Sequence, residues 1–283
     1  MKQKFTNSEI AKHYEGCEEH YRYWWNLAKS KSMHYGYWNE TTSSFHDAMM
    51  NINKVMSEKI GISQLDHVLD AGCGVGGSSI WLAKNRNCRV TGITLSEKQR
   101  IQAEQYANIQ GTSHKVDFRL EDFTNTSFPD KCFDVVWAIE SVCHAEDKML
   151  FLKEAYRLLK PGGRLIVADF FNRNGLEGSN KELMDKMAYG WAISSFTTIE
   201  AFEKAAEEIN FKKISIEDAS KAIRRSAWLL YLASFPGILF TKLYAVFYNP
   251  SHLTKYNART ANIQYPALKK GLWEYQIFQA VKE

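Results

Sequence analysis

Between residues 66 and 170, short apolar runs of strand length alternate with helix-period segments, and this rhythm leaves few folds open. The runs are "DHVLDAG", "CRVTGITL", "VDFRLEDF", "FDVVWAIE" and "GRLIVADF". Between them lie "SSIWLAKN", "SEKQRIQAEQYANIQG" and "KMLFLKEAYRLLKPGG", with Ser96 placed to cap the second of these and Pro161-Gly162-Gly163 to stop the third. Strand and helix in strict alternation specify parallel βαβ units, because a parallel pair needs a crossover. A later amphipathic helix, "TTIEAFEKAAEEINF", a strand, "KKISIED", and a last strand, "WEYQIFQAVK", complete the pattern. The expected fold is therefore α/β: a doubly wound, mostly parallel seven-stranded sheet with a helical cap.

The division expected along the chain is an N-terminal helical arm over residues 1–60, a sheet core over 61–217, an aromatic-rich helical cap over 218–271, and the last core strand over 272–283. Within the cap, residues 227–248, "AWLLYLASFPGILFTKLYAVFY", are apolar enough to raise the question of a membrane. Pro236-Gly237 interrupts them and Lys242 follows, so they read as a broken, buried helical pair, with a surface segment dipping into lipid as the alternative. Basic and acidic residues number 36 and 32 and are interspersed, which argues against a nucleic-acid partner. Five cysteines without a C-x-x-C pair fit reduced thiols and no metal site. The start, "MKQKFTNSEIAKHYEGCEEH", has no apolar leader run, and the cytoplasm is the expected compartment.

Gly72, Gly74 and Gly77 fall in the spacing G-x-G-x-x-G after the first strand, the fingerprint of a dinucleotide turn. That reading also needs an acidic residue at the end of the second strand, and "VTGITLSEKQ" offers none before Glu97. The same turn spells D-x-G-x-G-x-G from Asp70 to Gly76. A carboxylate at the strand tip would repel a pyrophosphate, but it suits a ligand carrying an ammonium and a sulfonium, which points to S-adenosylmethionine (SAM).

Four ordered stretches, "VLDAGCGVGGSSIWLA", "VTGITLSEKQ", "EDFTNTSFPDKCFDVVWAIESVCHAEDK" and "RLLKPGGRLIVADF", resemble class I SAM-dependent methyltransferases. The similarity covers roughly residues 30 to 170 and is to the branch that includes sterol, tocopherol and prenyl-diphosphate methyltransferases and antibiotic sugar O-methyltransferases. The resemblance implies a Rossmann-like methyltransferase fold and SAM as cofactor. It implies Asp70, Gly72, Gly74 and Gly76 around the methionine moiety, and Thr94, Leu95 and Gln99 in place of the usual acidic ribose ligand. It places Glu121, Asp122 and Phe123 at the adenine, with Asp122 accepting its amino group. It also implies an aromatic wall from "MHYGYW", supplied by Tyr35, Tyr37 or Trp38, consistent with the attraction of a sulfonium to aromatic faces.

The loop after the fourth strand, "WAIESVCHAEDK", empties into the site of such a sheet. His144 is the candidate base, Glu140 a catalytic or SAM-positioning group, and Cys143 a small loop filler. Asp169, at the end of the fifth strand, matches a position that pairs with a histidine in the sugar O-methyltransferase relatives and is a further catalytic candidate. Trp24, Trp25, Tyr189, Trp191, Phe196, Trp228, Tyr231, Phe235, Phe240, Tyr244 and Phe247 give the cap an apolar surface, and Arg224-Arg225 a possible meeting point for a diphosphate or headgroup. The expected partner is a small, largely apolar acceptor of lipid, prenyl, sterol or quinol type, methylated on carbon or oxygen, with peripheral membrane contact through residues 227–248. The alternatives are cyclopropane-synthase-like lipid modification and SAM binding without turnover. The sequence leaves the oligomeric state open.

Overall fold

The computed structural model describes residues 4–16, 30–247 and 252–283. Cys17, Trp24 and Trp25 lie outside the described residues, as do the side chains of Phe240, Tyr244 and Phe247.

The centre is a seven-stranded sheet: β1 (His67–Ala71), β2 (Arg89–Thr94), β3 (Val116–Leu120), β4 (Phe133–Ile139), β5 (Leu159–Asn172), β6 (Lys212–Asp218) and β7 (Trp273–Val281). Its order is β3-β2-β1-β4-β5-β7-β6. β3 through β5 run parallel, and β7 pairs antiparallel with both β5 and β6. Strand order reverses between β1 and β4, so a crevice opens at their carboxyl ends, where ligands of doubly wound sheets bind.

Before β1 come α1 (Asn7–Gly16) and α2 (Phe45–Lys59), the latter opened by a reciprocal capping box between Ser44 and Asp47. The crossovers are α3 (Gly77–Asn85), α4 (Glu97–Ile109), α5 (Lys148–Leu158), α6 (Gly178–Gly190) and α7 (Ile199–Glu208). Ser96 caps α4 by accepting from the Gln99 amide, and Thr198 caps α7 by accepting from that of Ala201. α5 ends at Leu158, and Pro161-Gly162-Gly163 runs inside the first part of β5, where the Gly162 amide donates to the Lys282 carbonyl.

Both sheet faces are covered. One packs Ile52 and Met56 of α2, Leu82 of α3 and Ala103 of α4 against Val68, Trp137 and Ile166. The other packs Phe151 and Leu152 of α5 and Phe202 of α7 against Leu69, Val136 and Phe278. Burial on both sides is why the central strands read as continuous apolar runs.

Between β6 and β7 the chain forms α8 (Ser220–Phe247) and α9 (His252–Lys269). A break at Pro236-Gly237 is not observed: α8 runs through Pro236, and its helical partner is α9. Proline removes one intrahelical hydrogen bond, and both Pro236 and Leu232, the residue whose carbonyl loses its donor, are exposed. Asn262 Nδ2 donates to Ser234 Oγ at 3.0 Å, Gln264 Nε2 to the Ala227 carbonyl at 2.6 Å, and the Tyr231 and Tyr265 rings meet at 5.7 Å. Among the described residues, no helix is long and apolar enough to cross a membrane.

Candidate active site

Two adjoining clefts, of about 890 and 840 Å³, open at the carboxyl ends of β1, β2, β4 and β5.

The first cleft is built on the turn after β1. Asp70 is buried, and its Oδ2 accepts from Ser79 Oγ at 2.6 Å. Burial raises its carboxyl to about 6, against the pull of the Ser79 hydrogen bonds. Gly72 has φ +94° and faces Ser141, whose hydroxyl donates to the Ala71 carbonyl at 2.6 Å. This close approach locks the β1 turn to the β4 loop, and a side chain at Gly72 would separate them. Gly72, Gly74 and Asp70 line the cleft together with Thr94, Leu95, Gln99 and Phe123. Thr94 Oγ1 donates to Gln99 Oε1 at 2.8 Å, which ties the end of β2 to the first turn of α4.

Glu140 stands on the wall between the clefts, with a left-handed backbone (φ +49°). Its Oε1 accepts from the Tyr35 amide at 2.8 Å and from the Tyr275 hydroxyl at 2.9 Å. Burial holds its carboxyl well above the usual range, and the neighbouring Asp169 adds to this. Such strain in a non-glycine residue persists only where its surroundings over-determine it.

His144 shares that wall with Tyr14, Met33 and Glu140. Its Nδ1 lies 3.3 Å from the Ala192 carbonyl and its Nε2 2.7 Å from the Tyr14 hydroxyl. A carbonyl can only accept, so Nδ1 carries the proton and Nε2 accepts from Tyr14. Burial lowers the ring to about 3, and it stays neutral across the working range.

The second cleft is largely carbon. Tyr35, Phe170, Trp191, Ile193 and Leu230 line it, with the neutral polar groups of Ser234 and Asn257.

Several expected residues lie elsewhere. Asp169 touches neither cleft nor His144: Oδ2 accepts from the Cys143 amide and Oδ1 from that of Phe170, each at 2.8 Å. Its carboxylate fastens the single 3-10 turn Val142–His144, and Lys148 secures the same turn by donating to the carbonyls of Cys143 and Ala145. Asp122 is not among the lining residues, because its oxygens accept from Asn7 and from the amide and hydroxyl of Thr124. Gly76 turns away from the cleft: a Cβ there would lie 2.7 Å from the Phe118 ring and 2.9 Å from Ala103, so its place is packing.

Tyr35 lines the second cleft rather than the first and donates to Gln264 Oε1. Tyr37 reaches towards Glu217, and Trp38 donates to Ser226 Oγ with Arg225 stacked 3.9 Å over its ring, so neither walls a ligand site. Arg224 and Arg225 line neither cleft. Of the cap aromatics with described side chains, Trp191 lines the second cleft, while Tyr189, Phe196 and Tyr231 pack against other rings. Cys143 lines the second cleft, with its thiol held well above the ordinary value by burial. Sequence reasoning passed over Tyr14 and Tyr275, which no motif marks, and did not single out Met33 and Ser141 within "MHYGYW" and "WAIESVCHAEDK".

The chain is similar to known proteins in sequence and in fold. Residues 69–167 match a family described as a methyltransferase domain. Over 238 residues the chain is 29% identical to 27-O-demethylrifamycin SV methyltransferase of Amycolatopsis mediterranei, covering 83% of this chain and 85% of that protein. Over 195 residues it is 30% identical to methyltransferase GfsG of Streptomyces halstedii, covering 68% and 70%. In fold it is similar to the cyclopropane synthase MmaA2 of Mycobacterium tuberculosis, with a TM-score of 0.84 at 15% identity over the full length of both chains.

Proposed function

The chain belongs to the SAM-dependent methyltransferases, and from that premise we propose that it methylates a carbon or oxygen of a small, largely apolar acceptor held in the second cleft. The observation that carries the proposal is the shared wall. Tyr14, Met33, Glu140 and His144 line both clefts, so a cofactor in one and an acceptor in the other meet there. Away from the shared wall the lining is mostly carbon, with His13, Ser234 and Asn257 among its polar groups, and this supports an apolar acceptor.

The residues of the first cleft suit SAM. Asp70 and Glu140 are carboxyls whose burial disfavours their charge, and a cation entering beside them restores it. Ser32 Oγ is buried on this cleft without a hydrogen-bond partner among the described residues, a group a ligand would satisfy. Lys31, whose ammonium lies over the Tyr106 ring, offers a cation to a carboxylate. In this reading Asp70, Gly72 and Gly74 hold the methionine portion, Thr94, Leu95 and Gln99 the ribose, and Phe123 the adenine.

When bound, SAM supplies an electrophilic methyl group. The protein aligns the acceptor and excludes water; the Tyr14 hydroxyl takes the leaving proton as it passes its own to His144 Nε2, the nitrogen it already donates to. A methylated alcohol and a carbocation are both far stronger acids than an imidazolium, so a weakly basic ring suffices, provided the proton leaves after the methyl arrives. The Ala192 carbonyl keeps the tautomer, and Asp169 and Lys148 are positioning residues for the turn that carries the ring.

The division into arm (1–60), core (61–217), cap (218–271) and last strand (272–283) fits this reading, since α1 and α8 each supply wall to the clefts. The reading also brings residues 227–248 to a membrane surface, where an apolar acceptor would reside. The test is incubation with methyl-labelled SAM and a host-cell extract, followed by phase partition. Label in the organic phase is expected, and label confined to water-soluble product would overturn the apolar acceptor.

A further inference from the structure

α8 carries two faces of opposite use. At about 100° per residue, Leu230, Ala233, Ser234 and Gly237 fall on one side, and all four line the second cleft. Trp228, Leu232, Phe235 and Leu239 fall on the opposite side and are 40%, 43%, 52% and 61% exposed. Large apolar side chains at this exposure, aligned along one helix face, are unusual in a protein whose partner is only water.

The stripe is ordered along the axis. Continuing it backwards, Arg224 and Lys221 lie on the same exposed line, one and two turns before Trp228. The sequence along the face is therefore cation, cation, indole, then aliphatic and aromatic carbon, over ~27 Å from Lys221 to Leu239. A helix lying in the bilayer surface, tilted so that its Leu239 end sits deeper, meets the same order: anionic headgroups, then the interface where tryptophan concentrates, then acyl chain. A flat protein partner or a second copy of this chain has no reason to match that gradient.

We propose that the Lys221–Leu239 face of α8 docks on an anionic lipid surface, with Lys221 and Arg224 at headgroup phosphates and Leu232, Phe235 and Leu239 in the acyl boundary. The helix is the wall between that surface and the cleft, so docking sets the acceptor site one helix thickness from the lipid that dissolves an apolar substrate. This purpose rests on the acceptor reading above, while the docking itself does not.

The experiment is flotation of the full chain with vesicles of phosphatidylcholine alone and of phosphatidylcholine mixed with phosphatidylglycerol. Capture by the mixed vesicles is expected, weakened by salt. Lys221→Glu and Arg224→Glu should each reduce it roughly fivefold or more, and the double variant Leu232→Glu/Phe235→Glu should reduce it at least tenfold. Calorimetric SAM affinity should be unchanged in all of these, because none of the four residues lines a cleft. Equal flotation of wild type and the double variant, or no flotation of wild type, overturns the proposal. So does a wild-type dimer in sedimentation that the double variant dissolves, which would assign the stripe to a second copy. If vesicles capture the protein while methyl label goes only to water-soluble product, the docking stands and the acceptor reading falls.

Discussion

At the scale of single residues, the site is governed by buried acids and a buried base without charge. Asp70 titrates at about 6 in the folded chain and near the ordinary value of about 3.9 when unfolded. Between these values the folded chain holds a proton that the unfolded chain has released, so stability falls as pH climbs towards 6, by about 3 kcal/mol in all. In ligand-free protein, the urea midpoint of wild type should therefore decline relative to Asp70→Asn across that window, and parallel curves would contradict it. A cationic ligand acts in the opposite direction. SAM affinity should rise with pH through about 6, with a proton released that calorimetry in buffers of different ionisation enthalpy detects. His144, neutral down to about pH 3, should contribute no limb near the ordinary imidazole value to the pH profile of kcat. His144→Ala should lower kcat by about 10²–10⁴ while SAM affinity stays within a few-fold. Tyr14→Phe, which removes the hydroxyl that stands between acceptor and ring, should lower kcat by about 10²-fold. Survival of turnover in His144→Ala would reduce the ring to a loop fastener.

At the scale of elements, the turn between β1 and α3 does two jobs with neighbouring glycines. Gly74 opens onto the cleft, whereas Gly76 sets the start of α3 against Phe118 and Ala103 at φ +83°. Gly76→Ala combines a strained backbone with an overpacked contact and should cost about 2–4 kcal/mol. Gly162→Ala, at φ +76° with open space around it, should cost only about 1 kcal/mol. Similar denaturant midpoints for the two variants would refute the packing role. Strands and crossover helices were legible in the sequence because burial on both faces writes itself as apolar runs and the caps are local. The continuity of α8 was not, since proline's effect depends on which way its turn faces. Nor was the split between Gly74 and Gly76, which depends on what stands across the turn in β3 and α4.

At the scale of the whole molecule, the cofactor turn and the His144 loop could be read from the chain because each is a contiguous stretch at a strand end. What closes them comes from far away. Tyr14 reaches His144 across 130 positions and Tyr275 reaches Glu140 across 135, distances over which spacing carries no signal. Asp122 lies just past β3 as expected, whereas Asp169 lies three residues inside the end of β5, and hydrogen bonds within the protein hold both away from the clefts. Position along a strand fixes a neighbourhood, and side-chain direction decides membership of the site.

β7 has a consequence for how the protein comes into being. It is the last strand in chain order, but it lies inside the sheet between β5 and β6, and its Tyr275 grips Glu140 from behind. A chain still emerging from the ribosome has two strands facing an empty slot and a cofactor wall without its brace. The wall around Glu140 is thus complete only once β7 has been made and inserted between β5 and β6.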